Sequence, residues 1–292
     1  MKIKQIYEEK YKLLMIIPFA LVLFALLQIG VQYAQTGDFV NRGISLKGGS
    51  TITITKELLP EEEALASYLR GQFPTVELSV RTMSAAGRAV SVLIETDQQE
   101  REAVDDFVGV TKAHLQLQDA EYSVEIVGSS LGENFFKQTG IALLVSFLLM
   151  ALVVVAYFRI MIPSLAVILA AFSDIVVTLA IFNLTGMKLS TAGVAAFLML
   201  IGYSVDTDVL LTTRLLKRHE GSPQERIYGA IKTGLTMTST ALVAVTVALF
   251  LVQSDIVKQI MLILFIGLLV DLVMTWIQNV GILRVYLERK RP

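Results

Sequence analysis

Hydrophobic and polar positions along the chain fall into two regimes. Six apolar stretches, at about 13–35, 139–158, 163–183, 189–212, 230–252 and 257–283, each come close to the roughly 20 residues that a helix needs to cross a bilayer. Between the first and the second lies a polar block, 36–136, with a different periodicity. There ISLKGGSTITIT (44–55) alternates and is rich in β-branched residues, which predicts a strand with Gly48 and Gly49 at a bulge or turn. PEEEALASYLRGQF opens with proline and acids and predicts a helix. VELSVRTMSAAGRAVSVLIET predicts two strands joined around Ser84–Arg88, QQEREAVDDFVGVTKAHLQL a second helix, and AEYSVEIVGSS a last strand. The order β-α-β-β-α-β is that of a ferredoxin-like sandwich, two helices on one antiparallel sheet. About 100 residues suffice to bury its core.

The expected fold class is therefore an α-helical integral membrane protein of six transmembrane helices, arranged one plus five. A small α+β ferredoxin-like domain is inserted after the first helix. The segments are a polar N-terminus (1–12), the first span (13–35), the inserted domain (36–136), five spans within 137–287, and a tail (288–292). The first span has the basic front of a secretory signal, but it is longer than a signal core and reads as an uncleaved anchor. Pro18 within it predicts a kink. Lys2, Lys4, Lys10, Lys12, Arg159, the basic segment Arg214–Lys232, and Arg289, Lys290 and Arg291 all fall on one side of the membrane. The short loops on the other side carry only Lys188 and Lys258. Positive charge marks the cytoplasmic side, so both termini are expected in the cytoplasm and the inserted domain outside the cell membrane.

Composition narrows the chemistry. At 54% hydrophobic and a mean hydropathy of +0.64, the chain is too apolar for an ordinary soluble domain. A net charge of −1 gives no reason to expect nucleic acid as a partner. With no cysteine, and with His114 and His219 far apart, no metal or cofactor site is expected. No phosphate-binding Walker loop occurs, so ATP is not the energy source in this chain. Two carboxylates on neighbouring spans could suit an intramembrane aspartyl protease. The local string is Gly-Tyr-Ser-Val-Asp rather than Gly-x-Gly-Asp, however, and no enzyme activity is expected.

Four carboxylates interrupt the apolar stretches: Asp174, Asp206, Asp208 and Asp271. Each costs about 2.5–3.5 kcal/mol at the centre of a spanning helix. Structure alone offers two explanations: the Asp206–Asp208 pair snorkels toward a membrane face with help from Arg214, or the groups hold helices together. Asp is too short to snorkel well, and no basic residue lies deep in any span. A buried carboxyl without a countercharge favours its neutral form, which suits a site that takes up and releases an ion. Residues two apart on a helix point about 200° apart, so Asp206 and Asp208 cannot share a face. Asp208 aligns with Ser204 and Thr212, and Asp206 with Gly202, where the missing side chain admits another helix or water. One carboxyl can then face the bundle while the other faces a partner. The fifth span opens with TGLTMTSTALVAV, hydroxyl-rich and uncharged, which reads chiefly as helix-to-helix glue.

At these residues the chain resembles the SecD/SecF family of protein-export membrane proteins, in its archaeal SecF-like form, within the RND superfamily. GISLKGGS resembles the family's Gly-x-Asp-x-x-Gly-Gly block, with Ser45 where the family has Asp. EIVGSSLGENF, with Gly128 and Gly132, resembles its Val-Gly-x-x-Leu-Gly segment. FSDIVVTL, IGYSVDTDVLLTTRLLK and GLTMTSTAL resemble its third, fourth and fifth spans. The resemblance implies an accessory subunit that works with SecD beside the SecY/SecE channel, in contact with lipid and the translocating polypeptide, and drawing on the proton gradient. It implies a proton relay of Asp206 and Asp174, with Asp208, Asp271, Arg214, Ser204 and Thr207 as neighbours. Gly48, Gly49, Gly128, Gly132 and Gly202 are the expected structural glycines. The alternatives are a purely structural subunit of the same assembly, or half of an RND-type transporter of small solutes or lipid.

Overall fold

A computed structural model describes residues 7–290 apart from 57, 86–87, 218–220 and 253. The expected turn around Ser84–Arg88 lies partly, and Lys2, Lys4, Arg218, His219 and Arg291 wholly, outside the described residues. Helix α1 (Tyr11–Thr36) is interrupted at Met15. The ring of Pro18 removes the N–H that would bond the Leu14 carbonyl, directly beside that interruption. The helix stops at Gly37, whose φ of 75° ends it in the left-handed conformation.

The strand predicted over 44–55 is split. Ile44–Lys47 form one helical turn, α2, and β1 begins only at Gly49 (Gly49–Ile54). Backbone packing is the reason. Gly48 and Gly49 sit at φ +91° and +134°, and a Cβ on Gly48 would lie 2.6 Å from Ser129 Cα. From the other side, a Cβ on Gly132 would meet the Gly48 nitrogen at 2.6 Å. Two glycines thus let the α2–β1 corner touch a following helix backbone to backbone. Gly128 has open space around it and simply leads into that helix in extended conformation.

Helix α3 (Glu62–Gln72), strands β2 (Leu78–Ala85) and β3 (Arg88–Thr96), helix α4 (Arg101–Leu115) and β4 (Tyr122–Val127) complete the inserted domain. The sheet is antiparallel in the order β2-β3-β1-β4, the predicted ferredoxin-like arrangement. Its alternating residues Ile52, Ile54, Val80, Val92 and Ile94 bury against Leu65, Leu69 and Phe107 from the two helices.

Five further helices are long and apolar enough to cross a membrane: α5 (Ser129–Phe158), α6 (Met161–Leu184), α7 (Thr191–Leu216), α8 (Pro223–Leu251) and α9 (Ile256–Lys290). Several exceed their apolar stretches. β4 runs almost directly into α5, so that helix starts well before residue 139. Ser222 and Glu225 form a capping box that starts α8 at Pro223, so half of the expected Arg214–Lys232 loop is helical. α9 passes through a π-helical turn at Met274–Asn279. Helices α6, α7 and α9 form the interior, and α1, α5 and α8 flank them with mostly exposed faces. One apolar cluster (Phe182, Val194, Phe197, Leu200, Ile263) lies toward the end carrying the sheet domain. Another (Leu211, Leu215, Trp276, Val280, Leu283) lies toward the far end. Leu200 seats against Gly267, and Trp276 against Gly234.

Candidate functional site

Between those apolar clusters the three inner helices enclose a polar layer. Asp174 on α6, Asp208 on α7 and Asp271 on α9 are 0%, 0% and 1% exposed. No cation stands beside any of them among the described residues. Hydroxyls fill the spaces between them. The Ser204 hydroxyl donates to Asp174 Oδ2 and also faces Asp271. The Thr275 hydroxyl donates to Asp271 Oδ1 at 3.0 Å and also faces Asp208. Asn279 Nδ2 donates to Asp208 Oδ1 at 2.7 Å. Beside them, Gln278 Nε2 donates to Ser173 Oγ at 3.1 Å, joining α9 to α6.

Helix geometry explains the alignment. Ser204, Asp208 and Thr212 follow one another at four-residue spacing on the inward face of α7, and all three are fully buried. On α9, Asp271 and Thr275 share a face, and the π turn from Met274 brings Gln278 and Asn279 inward together, one toward α6 and one toward α7. Ser204 thus lies between Asp174 and Asp271, and Thr275 between Asp271 and Asp208. From helix to helix, carboxyls and hydroxyls alternate like the steps of a staircase. Thr178, one turn above Asp174, and Thr212, one turn below Asp208, are buried with unpartnered hydroxyls. One oxygen each of Asp174 and Asp208 is likewise unpartnered. A carboxyl and a hydroxyl can each donate or accept as protons move, so the row has the chemistry of a proton relay. In this conformation Phe182 and Leu200 close it toward the domain end, and Leu211 and Leu215 toward the far end.

Other residues expected at the site lie elsewhere. Asp206 is on the exposed face of α7, away from the staircase, one turn from Gly202, whose outward side is open. The relay expected of Asp206 with Asp174 is therefore not brought together within this chain: the 200° between Asp206 and Asp208 turns Asp208 inward instead. Thr207 bonds its own helix through the Tyr203 carbonyl at 3.2 Å and packs beside Gly234, apart from the carboxyls. Arg214 donates to the Gly229 carbonyl at 2.5 Å, tying the end of α7 to α8 rather than meeting an acid. Thr275, Gln278, Asn279 and Ser173 were missed from sequence. Their signal was present: the first three are polar residues one and two turns after Asp271 in an otherwise apolar run, and Ser173 directly precedes Asp174. Among the described residues no cluster of His, Cys, Asp and Glu is arranged to hold a metal ion.

At the domain end, the loop from α6 to α7 joins the inner helices to the inserted domain. Leu189 exchanges backbone hydrogen bonds with the segment after α1, accepting from Gly43 N at 2.8 Å and donating to Asn41 O at 2.6 Å. Lys188 pairs with Glu95 on β3 at 3.0 Å. Gln259 on α9 donates to the Lys188 carbonyl at 2.6 Å and accepts from Ser190 N at 3.0 Å and from the Ser190 hydroxyl. Ser45 accepts from Thr191 N at 3.3 Å, so its oxygen caps the start of α7. At the far end, the Tyr7 hydroxyl donates to the Trp276 carbonyl within the π turn at 2.7 Å. Burial pushes the pKa of Tyr7 up to about 12.

Comparison with known proteins fits this architecture. The pattern of the family described as "Protein export membrane protein SecD/SecF, C-terminal" matches residues 109–289. The protein-export membrane protein SecF of Pyrococcus furiosus is 36% identical over 291 residues, covering 99% of this chain and 95% of that protein. SecF of Methanothermobacter thermautotrophicus is 41% identical over 286 residues, covering 96% of this chain and 94% of that protein. Among solved structures, SecDF of Thermus thermophilus, a translocon-associated membrane protein, superimposes with a TM-score of 0.75 at 23% identity. It covers 96% of this chain, which spans 39% of that longer one.

Proposed function

Because this chain belongs to the SecD/SecF family of protein-export membrane proteins, we propose that it is the SecF-type accessory subunit of the Sec export machinery. It works with a SecD partner beside the SecY/SecE channel, promotes movement of polypeptide across or its release from the membrane, and takes its energy from the proton gradient. It has no catalytic step of its own. Both termini are cytoplasmic and the inserted domain is outside, as the distribution of Lys and Arg among short loops argues.

The observation that carries the reading is the staircase of three buried carboxyls interleaved with hydroxyls on three different helices. A proton passes between Asp174 and Asp271 through the Ser204 neighbourhood, and between Asp271 and Asp208 through Thr275. Each change of charge alters how strongly the rungs repel one another in a medium of low dielectric, and so how α6, α7 and α9 pack. A charge moving through the membrane field gains about 2.3 kcal/mol per 100 mV. The α6–α7 loop, held to the inserted domain through Leu189 and Lys188 and to α9 through Gln259, passes that repacking outward. Asp206 belongs to a separate face with Met199, Gly202 and Tyr203. An exposed carboxyl at membrane depth needs a polar neighbour, and the SecD half supplies it.

The same hydrogen bonds would also suit a purely structural subunit, and substitution separates the two readings. Reconstituted with its SecD partner, wild-type protein should dissipate a pH gradient and stimulate export. Asp208→Asn keeps the shape and the Asn279 contact but carries no exchangeable carboxyl proton. Loss of flux and of stimulation with an intact complex supports the relay. Unchanged flux would leave the carboxyls as helix-to-helix contacts.

A further inference from the structure

At the ends of the helices farthest from the sheet domain, α1, α6 and α9 enclose a groove of about 490 Å³. Met15, Ile162, Ile282, Val285 and Tyr286 form its walls, and Arg289 and Lys290 stand at its end. We propose that this groove binds one anionic phospholipid of the adjoining leaflet, with an acyl chain against the apolar wall and the headgroup phosphate on Arg289 and Lys290. The proposal rests on the six helices spanning a membrane, not on the proton relay.

Three features favour this occupant. First, the helices do not close the space by themselves. The Met15 side chain fills the position a Cβ on Gly281 would need, which draws the start of α1 onto α9, yet Ile162 at the start of α6 remains 50% exposed beside it. Second, the charges are graded. The wall carries no charged group until the last turn of α9, where two cations follow in succession. That is the order of polarity met on going from acyl chain to headgroup, and basic pockets between spanning helices take anionic headgroups. Third, the cations are available. The neighbouring acid, Glu288, is engaged by Lys12 at 3.2 Å. Arg289 has no acidic partner among the described residues, and Lys290 Nζ lies 5.8 Å above the Tyr286 ring, directed over the groove wall. A guanidinium and an ammonium together suit a phosphate better than the neutralised surface of a zwitterionic lipid.

The test uses the complex with SecD, purified in detergent and titrated with an anionic phospholipid, the zwitterionic lipid of the same chains, and inorganic phosphate. Bound lipid is counted by native mass spectrometry. The expected result is one anionic lipid per chain of this protein, held in preference to the zwitterionic one. Affinity should fall about thirtyfold in the Arg289→Gln, Lys290→Gln double variant, since each cation near an anionic lipid surface is worth about 1 kcal/mol. Val285→Trp, which fills the groove and leaves both cations in place, should abolish retention. A melting curve like wild type shows that each variant is folded, and Lys112→Gln on the inserted domain serves as a neutral control. Equal retention of both lipids, or retention indifferent to both variants, would mean lipid bound only as general solvent and would overturn the proposal. So would phosphate alone binding as tightly as the lipid, because the apolar wall would then be idle. A photo-crosslinker at position 285 that captures SecD or SecY in a bilayer, instead of lipid, would reassign the groove to a protein contact.

Discussion

Asp271 is the middle rung of the carboxyl staircase, and replacing it by Asn isolates proton transfer from packing. Asn retains an acceptor oxygen where Thr275 now donates at 3.0 Å, and it removes an ionisable group that is 1% exposed. Folding stability should therefore hold or rise slightly. Asp271→Leu removes the acceptor as well. The Thr275 hydroxyl can fall back on its own helix, so the loss should sit at the low end of the roughly 1–3 kcal/mol for an unsatisfied buried group. Transport should respond differently. With Asp271 present, Ser204 and Thr275 each stand between two carboxyls; without a titrating group there, only hydroxyls are left between Asp174 and Asp208. The two hydroxyls that remain cannot hold an extra proton at neutral pH, so the flux should fall at least tenfold, equivalent to about 1.4 kcal/mol on the barrier. The assay is pH-gradient decay in proteoliposomes holding the SecD complex, with thermal unfolding measured on the same preparations. Wild-type flux in Asp271→Asn would refute the order of the rungs. A complex that falls apart in Asp271→Asn would refute the separation of relay from packing.

Further outcomes are expected at other points of the fold. Gly234→Ala puts a Cβ where the Trp276 ring lies and should destabilise the protein by about 1–3 kcal/mol, with a shift in the emission of this sole tryptophan as the readout. Lys188→Ala combined with Gln259→Leu cuts the ties between the α6–α7 loop, the inserted domain and α9. It should leave proton flux near wild type while export stimulation falls severalfold, and parallel loss of both would place the loop in the relay instead of in coupling. Because the chain contains no cysteine, Tyr203→Cys gives a unique thiol on the Asp206 face. It should crosslink to cysteines on the membrane helices of SecD, and failure across a full scan of those helices would remove that face as the contact.

The polarity pattern by itself determined the architecture. Twenty apolar residues without a solvent for their backbone must form a helix in lipid, so six such stretches fix six helices, and alternation in the polar block fixes a sheet with helices on one face. It also located Asp174, Asp208 and Asp271 as groups needing an explanation, and helical spacing separated Asp206 from Asp208. What spacing cannot give is which of two opposed faces turns inward, because both faces of α7 carry a carboxyl, and the choice rests on what α6 and α9 offer. Tertiary structure made it: Ser204 and Asp208 meet Asp174, Asp271, Thr275 and Asn279, so the inner face is theirs and Asp206 is left outside. The split of the 44–55 strand was equally hidden. Its β-branched residues speak for a continuous strand, whereas Gly48, Gly49 and Gly132 permit a backbone crossing with α5 that no local preference encodes. The π turn in α9 belongs to the same class. Its residues are ordinary helix formers, and the pull of Gln278 toward α6 and of Asn279 toward α7 exists only when three helices are already side by side.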